Sequence, residues 1–280
     1  MERMINQNQI EKFRKILTEE EKSQGTIKKY IHDLQVFGEF LGENNDITKE
    51  AVICYKQNLM EKYAPVTVNG ILASLNTFFR HMGWHEYTVK TLKIQRDSFR
   101  AQNRELSKEE YRRLLDTAKQ EGKTRLYLLM QTICSTGIRV SELQFITVES
   151  LCTRRARVSL KGKTRTVLIP SNLCRELRQY ARVNQISRGS VFVTKNGHPL
   201  DRSNIFRAMK SLCEKAKVEK DKVFPHNLRH LFACAYYEIE KDIAHLADIL
   251  GHSNINTTRI YLLKSSLEQE RQIESLGLII

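Results

Sequence analysis

The hydrophobic pattern of the chain is helical along most of its length and changes to the two-residue period of a β-strand near its middle. In residues 1–85 the apolar side chains recur every three or four positions, which is typical of amphipathic helices. In residues 157–160 and 166–169 they alternate with polar side chains, and a basic segment separates the two runs. A further short strand is expected at residues 191–193. The pattern predicts a mainly α-helical chain with a small antiparallel β-sheet.

The same pattern divides the chain into two domains. Residues 1–85 predict four helices, whereas residues 86–104 lose the helical period and are basic, which is typical of a linker. Ser107 and Glu110 form a capping box, Ser-x-x-Glu, near the start of the second domain, residues 105–280. Three residues mark helix ends in the first domain: Gly42, Thr48 and Pro65. The expected fold is an all-α four-helix domain followed by a mainly α domain that contains the small sheet.

Positive charge is concentrated in the second domain. The chain carries a net charge of +14, yet residues 1–97 hold 14 Lys and Arg against 13 Asp and Glu, so the remaining residues account for +13. A basic excess confined to one region suggests a polyanionic partner, most simply a nucleic acid. A merely basic soluble surface would have the same composition, so charge alone leaves both interpretations open.

The sequence also argues against several classes of protein. The longest apolar runs, such as residues 126–130, are too short to cross a bilayer, and the N-terminus lacks the apolar core of a secretory signal. A cytoplasmic location without membrane attachment is therefore expected. The six cysteines form no Cys-x-x-Cys pair, so reduced thiols are expected in place of disulfides or metal ligands. No glycine-rich nucleotide-binding loop occurs, and no cofactor is expected.

Residues 225–261 concentrate the side chains that a phosphodiester reaction needs. His226 and Arg229 open this segment, His252 follows 23 residues after Arg229, and Tyr261 comes nine residues later. Arginine can hold the oxygens of a pentacoordinate phosphorane through bidentate, charge-assisted hydrogen bonds. A tyrosine nucleophile needs a base or cations nearby, because free tyrosine has a pKa of about 10. The acidic residues of the segment lie away from these positions, which disfavours a metal-dependent nuclease.

Local signals indicate how the last of these residues are presented. Gly251 is expected to end the preceding helix and to leave His252 on a loop. Asn256 or Thr257 can cap a short helix that carries Tyr261. His252 and Tyr261 would then lie at neighbouring ends of two elements, from which both side chains could reach one phosphate.

Together these motifs resemble the tyrosine recombinase, or phage integrase, family, and in particular its short Xer-type members. Five matching segments occur in the family's order: residues 136–143, 161–165, 226–230, 250–252 and 256–261. They extend across the second domain, and the four-helix first domain resembles the core-binding domain of the family. Each motif is weak by itself, whereas five in order are specific.

The resemblance implies a role for each residue of this set. Tyr261 would attack the scissile phosphate and form a 3′-phosphotyrosyl link, and His226 would be its general base. Arg139 and Arg229 would bind the phosphorane oxygens, and His252 would donate a hydrogen bond to one of them. The implied reaction needs neither metal nor nucleotide.

The resemblance also assigns residues of the hairpin. Lys163 would protonate the leaving 5′-hydroxyl; Lys161 is the alternative, and Lys163 is preferred because it is expected at the tip of the turn. Lys161 and Arg165 would contact DNA, with Arg165 on a backbone phosphate. Glu142 would orient another side chain of the site. Cys234 stands where the family commonly has a small or hydroxylated residue, and it is expected to affect packing alone.

The function implied is that of a site-specific DNA recombinase acting on a double-stranded DNA recombination site. A homotetramer would exchange strands through a Holliday junction, and the apolar C-terminal residues 276–280 are expected to dock on a neighbouring protomer. The chain begins with the four-helix domain, which favours a simple site without distant arm sites. The alternatives are a type IB topoisomerase and a catalytically silent DNA-binding relative. The helical first domain and the apolar tail favour the recombinase, and the complete catalytic set argues against the silent relative.

Overall fold

The structure is a computed structural model that describes residues 4–42, 46–94, 105–160, 162–194, 196–262 and 274–275. The chain forms two compact units, Met1–Arg96 and Asp97–Ile280, and each has its own hydrophobic core. Within the described ranges, no helix combines the length and the apolar character that crossing a bilayer requires.

The described residues of the first unit contain four α-helices, as the sequence predicted. They are α1, Gln7–Glu19; α2, Gln24–Leu41; α3, Lys49–Lys62; and α4, Pro65–His81. The side chain of Thr48 accepts a hydrogen bond from the first turn of α3, and Pro65 begins α4, where its missing N–H costs nothing. Four fully buried aromatic rings lie in the core between the helices: Phe13, Phe37, Phe78 and Phe79.

The second unit is also mainly helical. It begins with α5, Lys108–Gln120, at which Ser107 and Glu110 form the expected capping box. Next come α6, Thr124–Thr136; a 3-10 helix, Val140–Phe145; and α7, Val148–Thr153. A β-hairpin follows, and then α8, Ser171–Val183; α9, Arg202–Lys210; and α10, Cys213–Ala216. They are followed by α11, Pro225–Glu240; α12, Ile243–Leu250; α13, Ile255–Arg259; and a 3-10 turn, Ile260–Leu262.

The hairpin confirms the antiparallel sheet but corrects the turn. Strands β1, Arg155–Leu160, and β2, Lys163–Leu168, pair in a register that puts Leu160 opposite Lys163. The connection is therefore two residues long and uses Gly162 at φ +72°, a left-handed backbone that suits glycine. The prediction that Lys163 lies at the tip of a five-residue turn was wrong: Lys163 is the first residue of β2. The strand expected at residues 191–193 is reduced to an isolated bridge between Val193 and Pro199.

Helix α6 lies at the centre of the second core and leads directly to the site. Leu129, Met130 and Ile133 of this helix are almost fully buried. The helix ends at Gly137, which has φ +63°, and a Cβ atom there would lie 2.5 Å from the ring of Phe232 on α11. Only glycine fits both conditions, so the chain leaves α6 against α11 and brings Arg139 beside that helix.

Residues 225–250 form two helices, α11 and α12. Helix α11 begins at Pro225, so His226 and Arg229 lie within its first turns. It ends at Lys241, which has φ +55° although it is not a glycine. The carboxylate of Asp242 then caps α12 by accepting from the next backbone amides.

The segment that leads from α12 to Tyr261 begins as predicted, but the cap of its short helix differs from the prediction. Gly251 ends α12 in a left-handed conformation, φ +66°, as predicted. The cap of α13 is Asn254, whose side chain accepts from the Asn256 amide at 2.8 Å, so the prediction of Asn256 or Thr257 was wrong. Tyr261 lies two residues beyond the end of α13, in the 3-10 turn.

Candidate active site

Arg229 is the buried centre of the site. Its guanidinium donates to the Gly137 carbonyl at 2.5 Å and to the Leu250 carbonyl at 2.7 Å, which links the ends of α6 and α12. A third contact, 2.8 Å long, joins its Nη2 to Nε2 of His252. The side chain is only 2% exposed, and burial, aided by the charge of Arg139, lowers the pKa of Arg229 to about 10. Arg229 therefore remains a cation at neutral pH.

His252 is held as a neutral ring of defined tautomer. Because a guanidinium can only donate, Nε2 of His252 must accept from Arg229. The proton is then on Nδ1, which lies 2.9 Å from the hydroxyl of Thr258 and donates to it. Burial lowers the pKa of His252 from 6.5 to about 4, and the charges of Arg229 and Arg139 act in the same direction. An incoming phosphate would meet an unprotonated Nε2.

Glu142 joins two further arginines. Its carboxylate accepts from Arg139 twice, from the side chain at 3.0 Å and from the backbone amide at 2.8 Å, and from Arg165 at 2.6 Å. Burial alone would raise the pKa of Glu142, but the Arg139 amide and the charges of Arg165 and Arg139 outweigh it and hold the pKa below its ordinary value. The carboxylate is 3% exposed and remains ionised between the two cations.

Three consecutive carbonyls at the end of α12 each accept from a different arginine. Arg165 donates to Ile249 at 2.7 Å, Arg229 to Leu250, and Arg139 to Gly251 at 3.3 Å. The C-terminus of a helix carries partial negative charge, which stabilises cations gathered there. The end of α12 therefore collects positive charge at the residue that precedes His252.

Tyr261 lies among three imidazole rings. Its hydroxyl is 3.5 Å from Nε2 of His226, a long contact of the kind that tightens when substrate binds. The ring centroids of His226 and His252 are each 5.8 Å from that of Tyr261, and His230 packs edge-on at 5.1 Å. The tyrosine is 5% exposed. A phenol, a neighbouring base and a group of cations are thus assembled in one place, as phosphoryl transfer requires.

The structure brings together most of the residues that the sequence singled out. Five of them lie around one position: Arg139, His226, Arg229, His252 and Tyr261. Glu142 contacts this group through Arg139. Lys161 lies outside the described residues, and only the backbone of Lys163 is described.

Arg165, expected to contact a DNA phosphate, has partners within the site. Its side chain is 14% exposed and its guanidinium is already bound to Glu142 and to the Ile249 carbonyl. This environment favours a positioning role over the expected contact with a DNA phosphate. Thr258, which fixes the tautomer of His252, was missed; it is fully buried, and nothing in its sequence position separates it from Thr257.

Comparison with known proteins gives a consistent result. The model of the phage integrase family matches residues 104–267, and that of the phage integrase N-terminal SAM-like domain matches residues 10–88. The tyrosine recombinase XerA of Pyrococcus furiosus is 28% identical over 98% of this chain and 98% of its own length. XerH of Campylobacter jejuni is 35% identical over 56% of this chain and 47% of its own length. A solved lambda integrase dimer, bound to a COC′ core site, shares the fold with a TM-score of 0.72 at 17% identity, over 92% of this chain and 95% of that chain.

Proposed function

Because the chain belongs to the phage integrase family, we propose that it is a site-specific DNA recombinase that cleaves and rejoins strands through a covalent link to Tyr261. The observation that carries this proposal is the position of the Tyr261 hydroxyl, 3.5 Å from a histidine base and beside the arginine cluster at the end of α12. The tyrosine recombinases among the relatives support the same reaction.

Each step of the proposed reaction uses a group at the site. The oxygen of Tyr261 attacks phosphorus while its proton passes to Nε2 of His226. The bond from phosphorus to the 5′-oxygen breaks, and Lys163, or alternatively Lys161, protonates that oxygen. The product is a 3′-phosphotyrosine and a free 5′-hydroxyl. Attack by a 5′-hydroxyl reverses the step and reseals a strand, so the bond energy is conserved and no ATP is needed.

The arginines are proposed to stabilise the extra negative charge of the phosphorane. Arg139 and Arg229 now donate to backbone carbonyls, and both can turn part of their planar fork toward phosphate oxygens. When Arg229 does so, Nε2 of His252 is released, and the phosphate charge favours its protonation. His252 then donates to the same phosphate. Because these residues supply the positive charge, we propose that the reaction needs no metal ion.

The rest of the chain is proposed to hold the DNA. Residues 1–85 would be the core-binding domain, residues 86–104 a basic linker, and residues 105–280 the catalytic domain. The partners would be a double-stranded recombination site and three further copies of the chain, which exchange strands through a Holliday junction in the cytoplasm. The C-terminal residues 276–280, proposed to dock on a neighbouring copy, lie outside the described residues.

Covalent capture of DNA tests the proposal. The full chain is incubated, in EDTA, with a pool of duplexes of random sequence that carry a nick, so that a short 5′-hydroxyl fragment is lost after cleavage. We expect a covalent adduct that survives denaturant, enriches one sequence, and is abolished by Tyr261→Phe. Tyr236→Phe is the matched control, because that hydroxyl contacts His245 instead and the adduct should persist. Absence of any adduct would favour the silent DNA-binding relative.

Plasmids with and without the enriched site then distinguish recombination from the relaxation of supercoiled DNA. A plasmid with two copies of the site should yield joined or inverted products, whereas a supercoiled plasmid without the site should remain supercoiled. Efficient relaxation of the second plasmid without joining of the first would identify a topoisomerase.

A further inference from the structure

A thiol, an imidazole and a carboxylate meet beside Tyr261, and the reaction proposed above uses none of them. They belong to Cys234 and His230 on α11 and to Glu105, three residues before α5. One potential ligand atom from each lies within 4.8 Å of the other two, and among the described residues this is the one such group of three. His230 and Cys234 are four residues apart on the helix, so both side chains lie on one face.

The separation of sulfur and nitrogen is in the range that a tetrahedral zinc ion requires. Zn²⁺ binds thiolate sulfur at about 2.3 Å and imidazole nitrogen at about 2.0 Å, which separates the two ligand atoms by roughly 3.5 Å. The sulfur of Cys234 lies 3.5 Å and 3.6 Å from the two ring nitrogens of His230, so the imidazole must turn to direct one nitrogen lone pair at an ion bound to that sulfur. Three protein ligands leave the fourth position for water, an arrangement that occurs in open zinc sites.

The chemistry of the ligands selects the ion. Thiolate and imidazole favour Zn²⁺ over Mg²⁺ or Ca²⁺, which prefer oxygen. A thiolate and a carboxylate would neutralise both charges of Zn²⁺, so the bound ion adds no net charge to a partly buried position. His230 is buried, while Cys234 and Glu105 are partly exposed and offer a path of entry.

We propose that Glu105, His230 and Cys234 form a Zn²⁺ site, and that its occupancy displaces the nucleophile. In the metal-free state the thiol of Cys234 donates to the backbone carbonyl of Tyr261 at 3.2 Å. Binding releases the thiol proton to solvent and leaves a thiolate that cannot donate. Tyr261 then loses this hydrogen bond, while the ring that packs against it, His230, becomes fixed by the ion. Zinc therefore displaces Tyr261 and slows cleavage.

Binding is tested on the full reduced chain without DNA, so the outcome does not depend on the proposed recombinase activity. Co²⁺ is added to the metal-free protein as a spectroscopic probe. We expect one equivalent to give tetrahedral visible bands and a thiolate-to-cobalt charge-transfer band, and one equivalent of Zn²⁺ to remove both. Cys234→Ser should lose the charge-transfer band, whereas Cys152→Ser, which changes an exposed cysteine on α7, should keep it.

A second variant tests the site independently, in case Cys234→Ser does not fold. Glu105→Gln changes a ligand outside the helices and should weaken Co²⁺ binding by roughly tenfold or more while its circular dichroism is unchanged. A wild-type chain without a charge-transfer band, or a band that persists in Cys234→Ser, would overturn the site.

The effect of zinc on Tyr261 is measured separately, by the rate of adduct formation. One equivalent of Zn²⁺ should slow adduct formation by the wild-type chain by roughly tenfold, since small displacements of a nucleophile are costly, and EDTA should restore the rate. Cys234→Ser should not respond to Zn²⁺. If the ion binds and the wild-type rate stays the same, the displacement of Tyr261 is refuted.

Discussion

Glu142 determines the direction of two guanidinium groups at the site. Its two oxygens hold Arg139 and Arg165, and both arginines also reach carbonyls at the end of α12. Glu142→Gln would keep the shape but turn an amide N–H toward a guanidinium that can only donate. We expect this change to lower the free energy of unfolding by about 3 kcal/mol and the rate of adduct formation by roughly tenfold to a hundredfold.

Urea unfolding and adduct kinetics measure these two effects. Glu149→Gln is the matched control, because that exposed carboxylate accepts from the Gly189 amide and contacts no arginine of the site. It should change the rate little. An unchanged rate in Glu142→Gln, with lowered stability, would make Glu142 a purely structural residue.

The neutral state of His252 predicts how stability depends on pH. Its pKa is about 4 in the folded chain against an ordinary value of 6.5. Between these values the unfolded chain binds a proton that the folded chain does not, so the stability that His252 contributes is lost as pH falls from about 6.5 to about 4. Thermal unfolding of the wild type and of His252→Gln should therefore converge over this range. Curves that stay parallel would contradict the buried neutral ring.

Residue types at the site could be read from the sequence, but their pairings could not. The motifs indicated Arg139, Arg229, His252 and Tyr261, because each stands in a segment with its own spacing. The contact between Arg165 and Glu142 could not be read in this way, because the two residues are 23 positions apart and meet only after β2 forms. The tautomer of His252 likewise depends on Arg229, a neighbour in space alone.

The turn after α12 depends on a glycine for two separate reasons. Gly251 has φ +66°, and a Cβ atom there would lie 2.5 Å from Cδ of Arg165. Gly251→Ala should therefore cost the backbone strain of about 1–2 kcal/mol and also push Arg165 away from Glu142, which should lower the rate of adduct formation severalfold or more.

Gly122→Ala separates these two effects. Gly122 has φ +65°, yet no atom lies within 4 Å of the position of an added Cβ. It should show the loss of stability in thermal unfolding without the loss of rate. Equal rates for the two variants would mean that Arg165 adapts to the added methyl group without consequence for the site.

Elements with a clear periodicity were predictable, and their junctions were less so. The four helices of the first unit and the capping box at Ser107 follow from local patterns. The turn between α11 and α12 uses Lys241 in a left-handed conformation, for which its sequence gives no signal. The length of the hairpin turn was overestimated because the basic residues of β2 have the composition of a loop. In both cases the pairing or packing of neighbouring elements overrides the local preference.

The two units have cores made from separate stretches of chain. One core draws its buried apolar residues from positions 5–89 and the other from positions 106–231. Leu34 on α2 and Leu129 on α6 are matched probes, since both are leucines of helix interiors with almost no exposed surface. Replacing either with alanine should destabilise its own core by about 2–5 kcal/mol.

Hydrogen exchange followed by mass spectrometry shows which helices lose stability in each variant. Leu34→Ala should accelerate exchange in α1–α4 and leave α6 and α11 protected, and Leu129→Ala should do the reverse, because stability is lost within the cooperative unit that contains the cavity. Adduct formation should be compared at a temperature at which the second unit of Leu34→Ala remains folded. At that temperature Leu129→Ala should form the adduct more slowly, because it disturbs the helix that leads to Arg139. Faster exchange throughout the chain in both variants would show that the units unfold together and that the first stabilises the residues around Tyr261.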